Sequence, residues 1–265
     1  MITDLKCRYD VGLKSLISLP AYLRETNHRN PTDNSNGPFQ YVNGVKDMNV
    51  FQWLVDHPQE ANATQTFFEG DRGSRPDWVD WFPVQEKLLS LTDTKDDTIV
   101  LVDVAGGRGH EISSFLRKFP HQPGRYVLQD LPEVINDETL TLDKRIEKKA
   151  FDFWNDSPVS GARIYYLKFI MHDWSDEKCI QILKNVAAAM TPGFSFLVIE
   201  DFILPDSGCP ELAAMWDMQM IAFLAGMERT RSQWRGLMEA AGFDIEGFYP
   251  PPGDGTGITI TELRR

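Results

Sequence analysis

Residues 99–120 constrain the fold of this chain more than any other stretch does. A β-branched run ends at Asp103 and leads into the short turn AGGRG, after which apolar residues recur at the spacing of one helix face. This order is typical of a buried strand, a glycine turn and an amphipathic helix. Because glycine lets the backbone approach a ligand and the start of a helix offers N–H groups, we expect a ligand at this turn.

Two acidic residues flank the turn and indicate what it binds. Asp103 precedes it, and Asp130 follows about 20 residues later in the sequence. Strand–turn–helix units that bind a nucleoside place at this separation the acidic residue that binds the ribose diol. The turn has the pattern D-x-A-x-G-x-G and not the G-x-G-x-x-G of dinucleotide-binding turns. Many strand-to-helix turns bind nothing, but the two carboxylates favour a nucleoside-type ligand here.

From residue 98 onward, strands and helices alternate along the chain. The predicted strands are 99–104, 125–129, 148–153, 162–170, 195–202, 244–249 and 258–263, and the predicted helices are 112–119, 131–136, 177–190 and 231–241. Such alternation produces a mostly parallel sheet covered on both faces. The link at 250–255 is too short for a helix. We therefore predict a Rossmann-like, doubly wound α/β fold with a seven-stranded, mostly parallel sheet and an antiparallel last strand.

A helical segment is expected at residues 1–95, ahead of a ligand-binding domain at 96–265. A loop signal at 30–38 precedes an apolar helix that should end near His57, and two further helices are predicted at 62–68 and 78–91. The last of these carries a stripe of bulky side chains that includes Trp78. Such a stripe packs on a sheet or lines a substrate cavity.

Composition and charge restrict the partners. The formal net charge of −12 argues against nucleic acid or an anionic membrane surface as the main partner. The three cysteines are scattered and show neither a disulfide framework nor a metal-ligand spacing, so we expect a reducing compartment and no metal. No apolar run approaches the length of a membrane span, and the N-terminus lacks a signal-peptide pattern. The cytosol is the predicted location.

Polar residues near the predicted strand ends are the candidates for binding, since ligands of such sheets lie beyond the carboxyl ends of the strands. Asp152 in FDFW could accept a hydrogen bond from an adenine amino group or simply cap the next turn. Lys168 interrupts an apolar strand. Its ammonium group could pair with a ligand carboxylate, or its stem could lie along the sheet with the head in water.

His172 is the candidate general base. It lies just beyond the fourth predicted strand, and a neutral imidazole at pH 7 can accept a proton. The fifth predicted strand ends with two consecutive carboxylates, the second of which is Asp201, and alternation sends only one of them towards the site. Glu228 could orient the ring of His172 or form a surface ion pair with a neighbouring arginine.

Taken in order, the motifs VDVAGGRGH, QDLPEVI, FDFW, YYLKFIMHDWSDEKC, DFILPD and MERTRSQW identify a family resemblance. The chain resembles the class I S-adenosylmethionine-dependent O-methyltransferases. It is most similar to the plant and fungal, caffeate-type group that methylates phenolic hydroxyls, and to its fungal secondary-metabolite branch. The resemblance runs from about Leu19 to the C-terminus. It implies S-adenosylmethionine as cofactor, an aromatic small molecule as substrate, and residues 96–265 as the S-adenosylmethionine-binding catalytic domain.

The resemblance also assigns roles to residues. His172 matches the proton acceptor, and Asp201 and Glu228 match the acidic positions that flank it, although many members carry glutamate in place of Asp201. Ala105 replaces the first glycine of the usual triple-glycine turn, a small change that should still admit the cofactor. The cofactor positions are Gly106 and Gly107 for the methionine part, Asp130 for the ribose, Asp152 and Phe153 for the adenine, and Lys168 nearby.

Members of the family usually carry a sizeable N-terminal, winged-helix-like dimerisation domain, which this chain lacks. We therefore expect a fragment or a shortened form. The family resemblance does not by itself imply a homodimer for such a chain. Two alternatives to methyl transfer stay open. One is a cyclisation or pericyclic reaction in which the bound cofactor is not consumed, and the other is a non-catalytic, cofactor-binding remnant.

Overall fold

The computed structural model describes residues 12–73, 75–90, 95–251 and 256–264 of the 265-residue chain. These residues pack into two compact units. Of the described residues, unit 1 contains 12–73, 75–76, 172–175 and 204–229. Unit 2 contains 77–90, 95–171, 176–203, 230–251 and 256–264. The sequence-based boundary at residue 95 stays a prediction.

The elements are numbered in chain order. The helices are α1 (Lys14–Glu25), α2 (Pro38–Asn43), α3 (Val50–Val55), α4 (Pro58–Gly73), α5 (Trp78–Trp81), α6 (His110–Lys118), α7 (Pro132–Ile135), α8 (Asp176–Ala189), α9 (Glu211–Leu224) and α10 (Arg231–Ala241). The strands are β1 (Ile99–Val104), β2 (Arg125–Asp130), β3 (Ile146–Ala150), β4 (Ile164–Lys168), β5 (Phe196–Leu204), β6 (Arg229–Thr230), β7 (Phe243–Tyr249) and β8 (Thr256–Leu263). Within the described residues, no helix is long and apolar enough to cross a membrane.

Unit 1 is helical and has its own apolar core. Side chains from α2, α3 and α9 form this core, and its buried members are Phe39, Val50, Leu54, Met220, Phe223 and Leu224. Helix α3 begins with a capping box, in which the Asn49 side chain accepts the Gln52 N–H and the Gln52 side chain accepts the Asn49 N–H. It ends at Val55, close to the predicted stop near His57.

The sheet runs in the order β3-β2-β1-β4-β5-β8-β7. Strands β1 to β5 pair in parallel, and β8 is antiparallel to both of its neighbours. The predicted α/β class with a reversed last strand is therefore confirmed. Within the described residues the sheet has eight strands rather than the predicted seven, because the two-residue strand β6 also pairs with β5. So short a strand carries no alternation pattern that the sequence could reveal.

Three predicted elements differ from the structure by more than two residues at one end or both. The helix predicted at 62–68 corresponds to the longer α4, Pro58–Gly73. Strand β3 covers Ile146–Ala150 rather than 148–153, and it is an exposed edge strand whose charged side chains hide the apolar pattern. The predicted helix at 78–91 is interrupted. Helix α5 ends before Phe82, which is extended with ψ of 134°, because the following Pro83 disfavours a helical conformation there. A π-helical segment follows at Gln85–Leu89, and residue 91 lies outside the described residues.

The bulky stripe that begins with Trp78 packs on the sheet of unit 2. The Trp78 ring stacks on Tyr166 of β4 at 4.6 Å between centroids, and Phe82 and Leu88 are buried in the same apolar cluster. Burial of such large side chains stabilises the unit, since a fully buried aromatic or leucine contributes about 1.5–3 kcal/mol. Of the two interpretations of this stripe, packing on the sheet is the one observed.

Candidate active site

The glycine turn joins β1 to α6 in unit 2. Ala105, Gly107 and Gly109 all have positive φ, at 54°, 60° and 74°. Gly106 has no room for a side chain, because a Cβ there would lie 2.4 Å from the Asp103 carboxyl carbon and 2.6 Å from Leu128 Cδ1. The turn is therefore tight, and Gly106 can be replaced only if its neighbours move.

The two carboxylates that flank this turn have different tasks. Gly109 occupies the N-cap of α6 and has no side chain to offer, and the buried Asp103 accepts the Ile112 N–H at 3.2 Å instead. Asp130 accepts the Gly107 N–H at 2.6 Å and the Leu131 N–H at 2.7 Å. A carboxylate oxygen can accept more than one hydrogen bond, so these two backbone contacts are compatible with a role in binding ribose hydroxyls.

Asp152 and Phe153 follow β3 in a loop. The Asp152 carboxylate accepts the Trp154 N–H at 3.0 Å and the Asn155 side-chain amide at 2.6 Å, which is the turn-capping arrangement considered for it. The Phe153 ring meets Trp154 edge-on at 4.7 Å between centroids. The loop is tied to the end of β2, because Phe151 donates its N–H to the Asp130 carbonyl at 2.8 Å. The adenine role of this loop stays a prediction.

Lys168 ends β4 and is buried among protein carboxylates. Its Nζ lies 2.8 Å from Glu111 Oε1 and 3.2 Å from Glu200 Oε1, and Glu200 also accepts a hydrogen bond from the Tyr166 hydroxyl. The Lys168 side chain is only 4% exposed, so the interpretation that its head reaches water is wrong. The ion partners are Glu111 and Glu200, neither of which was predicted to meet Lys168.

Burial and charge act against each other in this network. Burial lowers the pKa of Lys168, but the two carboxylates more than compensate, and the pKa lies above its ordinary value. For Glu200 burial raises the pKa, and Lys168 only partly offsets this rise. Burial and the adjacent carboxylate together hold the pKa of Tyr166 well above its usual range. Lys168 therefore keeps its charge at neutral pH, and Tyr166 remains protonated.

His172 lies on the 3₁₀ turn Met171–Asp173. In unit 1 its Nδ1 is 2.9 Å from Glu228 Oε1, and the Glu228 side chain is fully buried. Glu228 is therefore buried against His172 rather than lying at the surface, and its role in orienting the ring stays a prediction. A carboxylate opposite Nδ1 favours the neutral tautomer that carries its proton on that nitrogen.

Two further carboxylates surround this pair, and the sequence predictions gave neither of them a role. Asp173 Oδ1 lies 3.3 Å from His172 Nε2. Asp217 accepts the Glu228 N–H at 2.8 Å, and burial raises the pKa of Asp217. The only signal for Asp173 was its position next to His172. The contact of Asp217 with Glu228 joins α9 to the segment that follows it and had no local signature.

Asp201 belongs to unit 2, on β5. Its side chain is buried, and Oδ1 accepts the Phe202 N–H at 3.1 Å. Its predicted role beside His172 stays a prediction. Thus the structure brings Gly107 together with Asp130 in unit 2, and His172 together with Glu228 in unit 1.

Comparison with known sequences identifies a family for this chain. The O-methyltransferase domain model matches residues 33–244. Methyltransferase cfoC of Aspergillus candidus is 39% identical over 234 residues, which are 88% of this chain and 57% of that protein. Demethylsterigmatocystin 6-O-methyltransferase of Aspergillus flavus is 35% identical over 237 residues, 89% of this chain and 59% of that protein. The chain thus spans less than two thirds of the length of these curated relatives.

Solved structures agree with this assignment. LepI in complex with SAM superimposes with a TM-score of 0.90 at 28% identity, covering 99% of this chain and 68% of that one. OxaC in complex with SAH and oxaline gives a TM-score of 0.87 at 28% identity, covering 97% and 64%. A structure described as a pericyclic reaction enzyme gives 0.90 at 28% identity, covering 99% and 68%. On sequence and fold together, this chain belongs to the O-methyltransferase domain family.

Proposed function

We propose that this chain is the catalytic part of an S-adenosylmethionine-dependent O-methyltransferase acting on a hydroxyl group of an aromatic small molecule. The observation that carries the proposal is the buried carboxylate of Glu228 at 2.9 Å from Nδ1 of His172, an arrangement that prepares the opposite ring nitrogen to accept a proton. The fungal relatives named as methyltransferases, and the related structures with SAM or SAH bound, support the reaction class.

The residues of unit 2 fit a nucleoside cofactor. The turn at Gly106 has no room for a side chain, and Asp130 at the end of β2 accepts the Gly107 N–H, which places a carboxylate against this turn. A carboxylate is the group expected to bind the ribose hydroxyls. When bound, S-adenosylmethionine supplies an electrophilic methyl group and leaves as S-adenosylhomocysteine. Asp152 and Phe153 would face the adenine. Lys168 would support the cofactor site indirectly. Its ammonium group forms an ion pair with Glu111, which lies in the first turn of α6, the helix that follows the glycine turn.

In the proposed reaction His172 accepts the proton of the substrate hydroxyl on Nε2 while the oxygen attacks the methyl carbon. Glu228, and by family resemblance Asp201, hold the ring and stabilise the imidazolium that forms. General base catalysis of this kind contributes a factor of roughly 10² to 10⁴. The protein otherwise acts by aligning the oxygen with the methyl group, because the methyl group is already activated.

The test replaces the base. His172→Ala should lower turnover by roughly 10²-fold or more, while the affinity for S-adenosylmethionine measured by calorimetry stays within about twofold of the unaltered protein. A mass-resolved screen of phenolic acceptors supplies the substrate, and its product should be heavier by one CH₂ unit. His121→Ala, at an exposed histidine, is the control and should leave turnover unchanged. Normal turnover in His172→Ala would remove His172 from the role of base.

A non-methylating reaction is the second candidate, favoured by the similarity to the structure described as a pericyclic reaction enzyme. In that case the product would have the mass of the substrate, and S-adenosylhomocysteine would not accumulate. We favour methylation because His172 and Glu228 form a complete hydrogen-bonded pair.

The partners and the compartment are also proposals. We propose a small aromatic substrate, no nucleic acid or membrane partner, and a cytosolic location, in keeping with the net charge of −12 and with Cys179 and Cys209 being unbridged.

A further inference from the structure

Asn34 makes an unusual pair of contacts in unit 1. It lies in the loop between α1 and α2 and is only 3% exposed. Its side-chain nitrogen donates to the Asp173 carbonyl at 2.7 Å and to the Leu224 carbonyl at 2.6 Å. Both partners are acceptors, so the orientation of the amide is determined: a flipped amide would place its oxygen against two carbonyl oxygens.

The two carbonyls belong to the two segments that carry the proposed catalytic pair. Asp173 directly follows His172 on the 3₁₀ turn, and Leu224 is the last residue of α9, four positions before Glu228. The carbonyls at the end of a helix have no partner within the helix. Asn34 satisfies one of them with the same group that holds the turn of His172. One side chain therefore connects the imidazole segment with the carboxylate segment.

The backbone around this bridge is closely packed. Met227 donates its N–H to the His172 carbonyl at 2.9 Å. A Cβ on Gly226 would lie 2.1 Å from the same carbonyl oxygen, so only glycine allows this approach. Displacement of the Leu224 end of α9 would therefore be transmitted directly to the turn that carries His172.

Asn34 is itself held in place by a neighbouring amide. The Gln40 side chain donates to the Asn34 carbonyl at 2.8 Å and to the Met48 carbonyl at 2.9 Å, while its oxygen accepts the Gly37 N–H at 2.8 Å. Gln40 is also buried. The loop thus presents Asn34 in one conformation, as a preorganised group requires.

We infer that Asn34 is a positioning residue, which sets the separation of His172 and Glu228 by bridging the backbones that carry them. The inference rests on the proposed function, in which His172 is the base. It predicts that removal of the Asn34 amide acts on the rate of the chemical step and not on cofactor binding.

The first measurement needs no substrate. In protein labelled with ¹⁵N-histidine, the Nδ1–H of His172 should give a downfield, slowly exchanging proton resonance, assigned by its loss in His172→Gln. In Asn34→Ala this resonance should shift upfield and broaden, because the hydrogen bond to Glu228 lengthens. Asn43→Ala is the matched control. It removes a side-chain amide in the same unit that donates one hydrogen bond to the Phe39 carbonyl at 2.9 Å and accepts one from Lys14 Nζ at 3.1 Å, and it should leave the resonance in place.

The second measurement uses the acceptor found by the mass-resolved screen. Asn34→Ala should lower kcat about 10- to 100-fold with the KM for S-adenosylmethionine within twofold, since a displacement of about 1 Å at a reacting group can cost about 10²-fold. Asn34→Ser, which keeps one short donor, is the variant to use if Asn34→Ala fails to fold, and it should show the same changes in weaker form.

The outcomes separate the two proposals. A folded Asn34 variant with an unchanged His172 resonance and unchanged kcat overturns the inference, even if its melting temperature has fallen. If His172→Ala keeps full turnover, the proposed base is wrong, whereas the resonance experiment still decides whether Asn34 positions the ring.

Discussion

The fold moves the pKa of the Asp173 carboxyl group into the neutral range. Burial raises its pKa from 3.8 to about 7; the neighbouring His172 partly opposes this rise and Glu228 adds to it. A folded Asp173 therefore keeps a proton that the unfolded chain releases near pH 4. The charge of Asp173 therefore changes near neutral pH, where a histidine base works. This change takes place 3.3 Å from Nε2 of His172.

This shift predicts how stability depends on pH. Because the pKa of Asp173 is higher in the folded state, its contribution to the free energy of unfolding is most favourable below about pH 4. This contribution is lost as the pH rises through 7. At about 1.36 kcal/mol per pKa unit, the unaltered protein should lose about 2–3 kcal/mol between pH 5 and pH 8 from this group. Asp173→Asn should not show this loss. Urea denaturation of both proteins at the two pH values measures the difference, and equal pH dependence would contradict the prediction.

Lys168 supplies a second prediction for single residues. Lys168→Met leaves Glu111 and Glu200 buried without their cation and should cost about 3–5 kcal/mol of unfolding free energy. The double variant with Glu200→Gln should recover part of that loss, because one of the two buried negative charges is then gone. Urea denaturation of the single and double variants tests this. Additive losses would show that the two groups do not interact.

At the scale of secondary-structure elements, the turn between β1 and α6 shows how packing selects a residue type. Gly106→Ala would place a methyl group 2.4 Å from the Asp103 carboxyl carbon, and Asp103 caps α6. We expect the free energy of unfolding to fall by about 1–3 kcal/mol, as at other overpacked sites, and S-adenosylmethionine to bind more weakly.

The matched control for this turn is Gly236→Ala in α10. An added Cβ at Gly236 meets no atom within 4 Å, and alanine is the better helix former by about 0.5–1 kcal/mol. The same substitution should therefore stabilise the protein at one site and destabilise it at the other. Thermal unfolding and calorimetry with the cofactor measure both effects. Equal stability of the two variants would show that the turn tolerates a side chain.

At the scale of the whole molecule, cofactor binding should appear as stability. A ligand that binds only the folded state at 100 times its Kd adds about 2.7 kcal/mol. S-Adenosylmethionine should therefore raise the melting temperature, and Asp130→Ala should abolish most of the rise, whereas Asp97→Ala, at an exposed position, should not. If saturating S-adenosylmethionine leaves the melting temperature unchanged in the unaltered protein, the proposed cofactor is wrong.

Much of the fold could be predicted because its signals are local. Periodic apolar residues and the glycine turn identified β1, β2, α6 and α10 within about two residues. The position of β3 could not be predicted well because an exposed edge strand lacks an apolar pattern. The predicted helix at 78–91 is longer than α5 because its apolar spacing continues past Pro83, which disfavours a helical conformation at Phe82. The family motifs identified His172 and Glu228 as a pair, but they carried no information on Asn34 or Asp217.

The order of strands and helices, the reversed last strand, the glycine turn and the family were all present in the linear chain, since each depends on neighbours within a few dozen residues. The partners of the reactive groups were not. Lys168 meets Glu111 across 57 residues, and Asn34 reaches Asp173 and Leu224 across 139 and 190. Such contacts exist only after distant segments have packed together, so the three-dimensional structure alone decided how Lys168 is neutralised and what holds the turn of His172 in place.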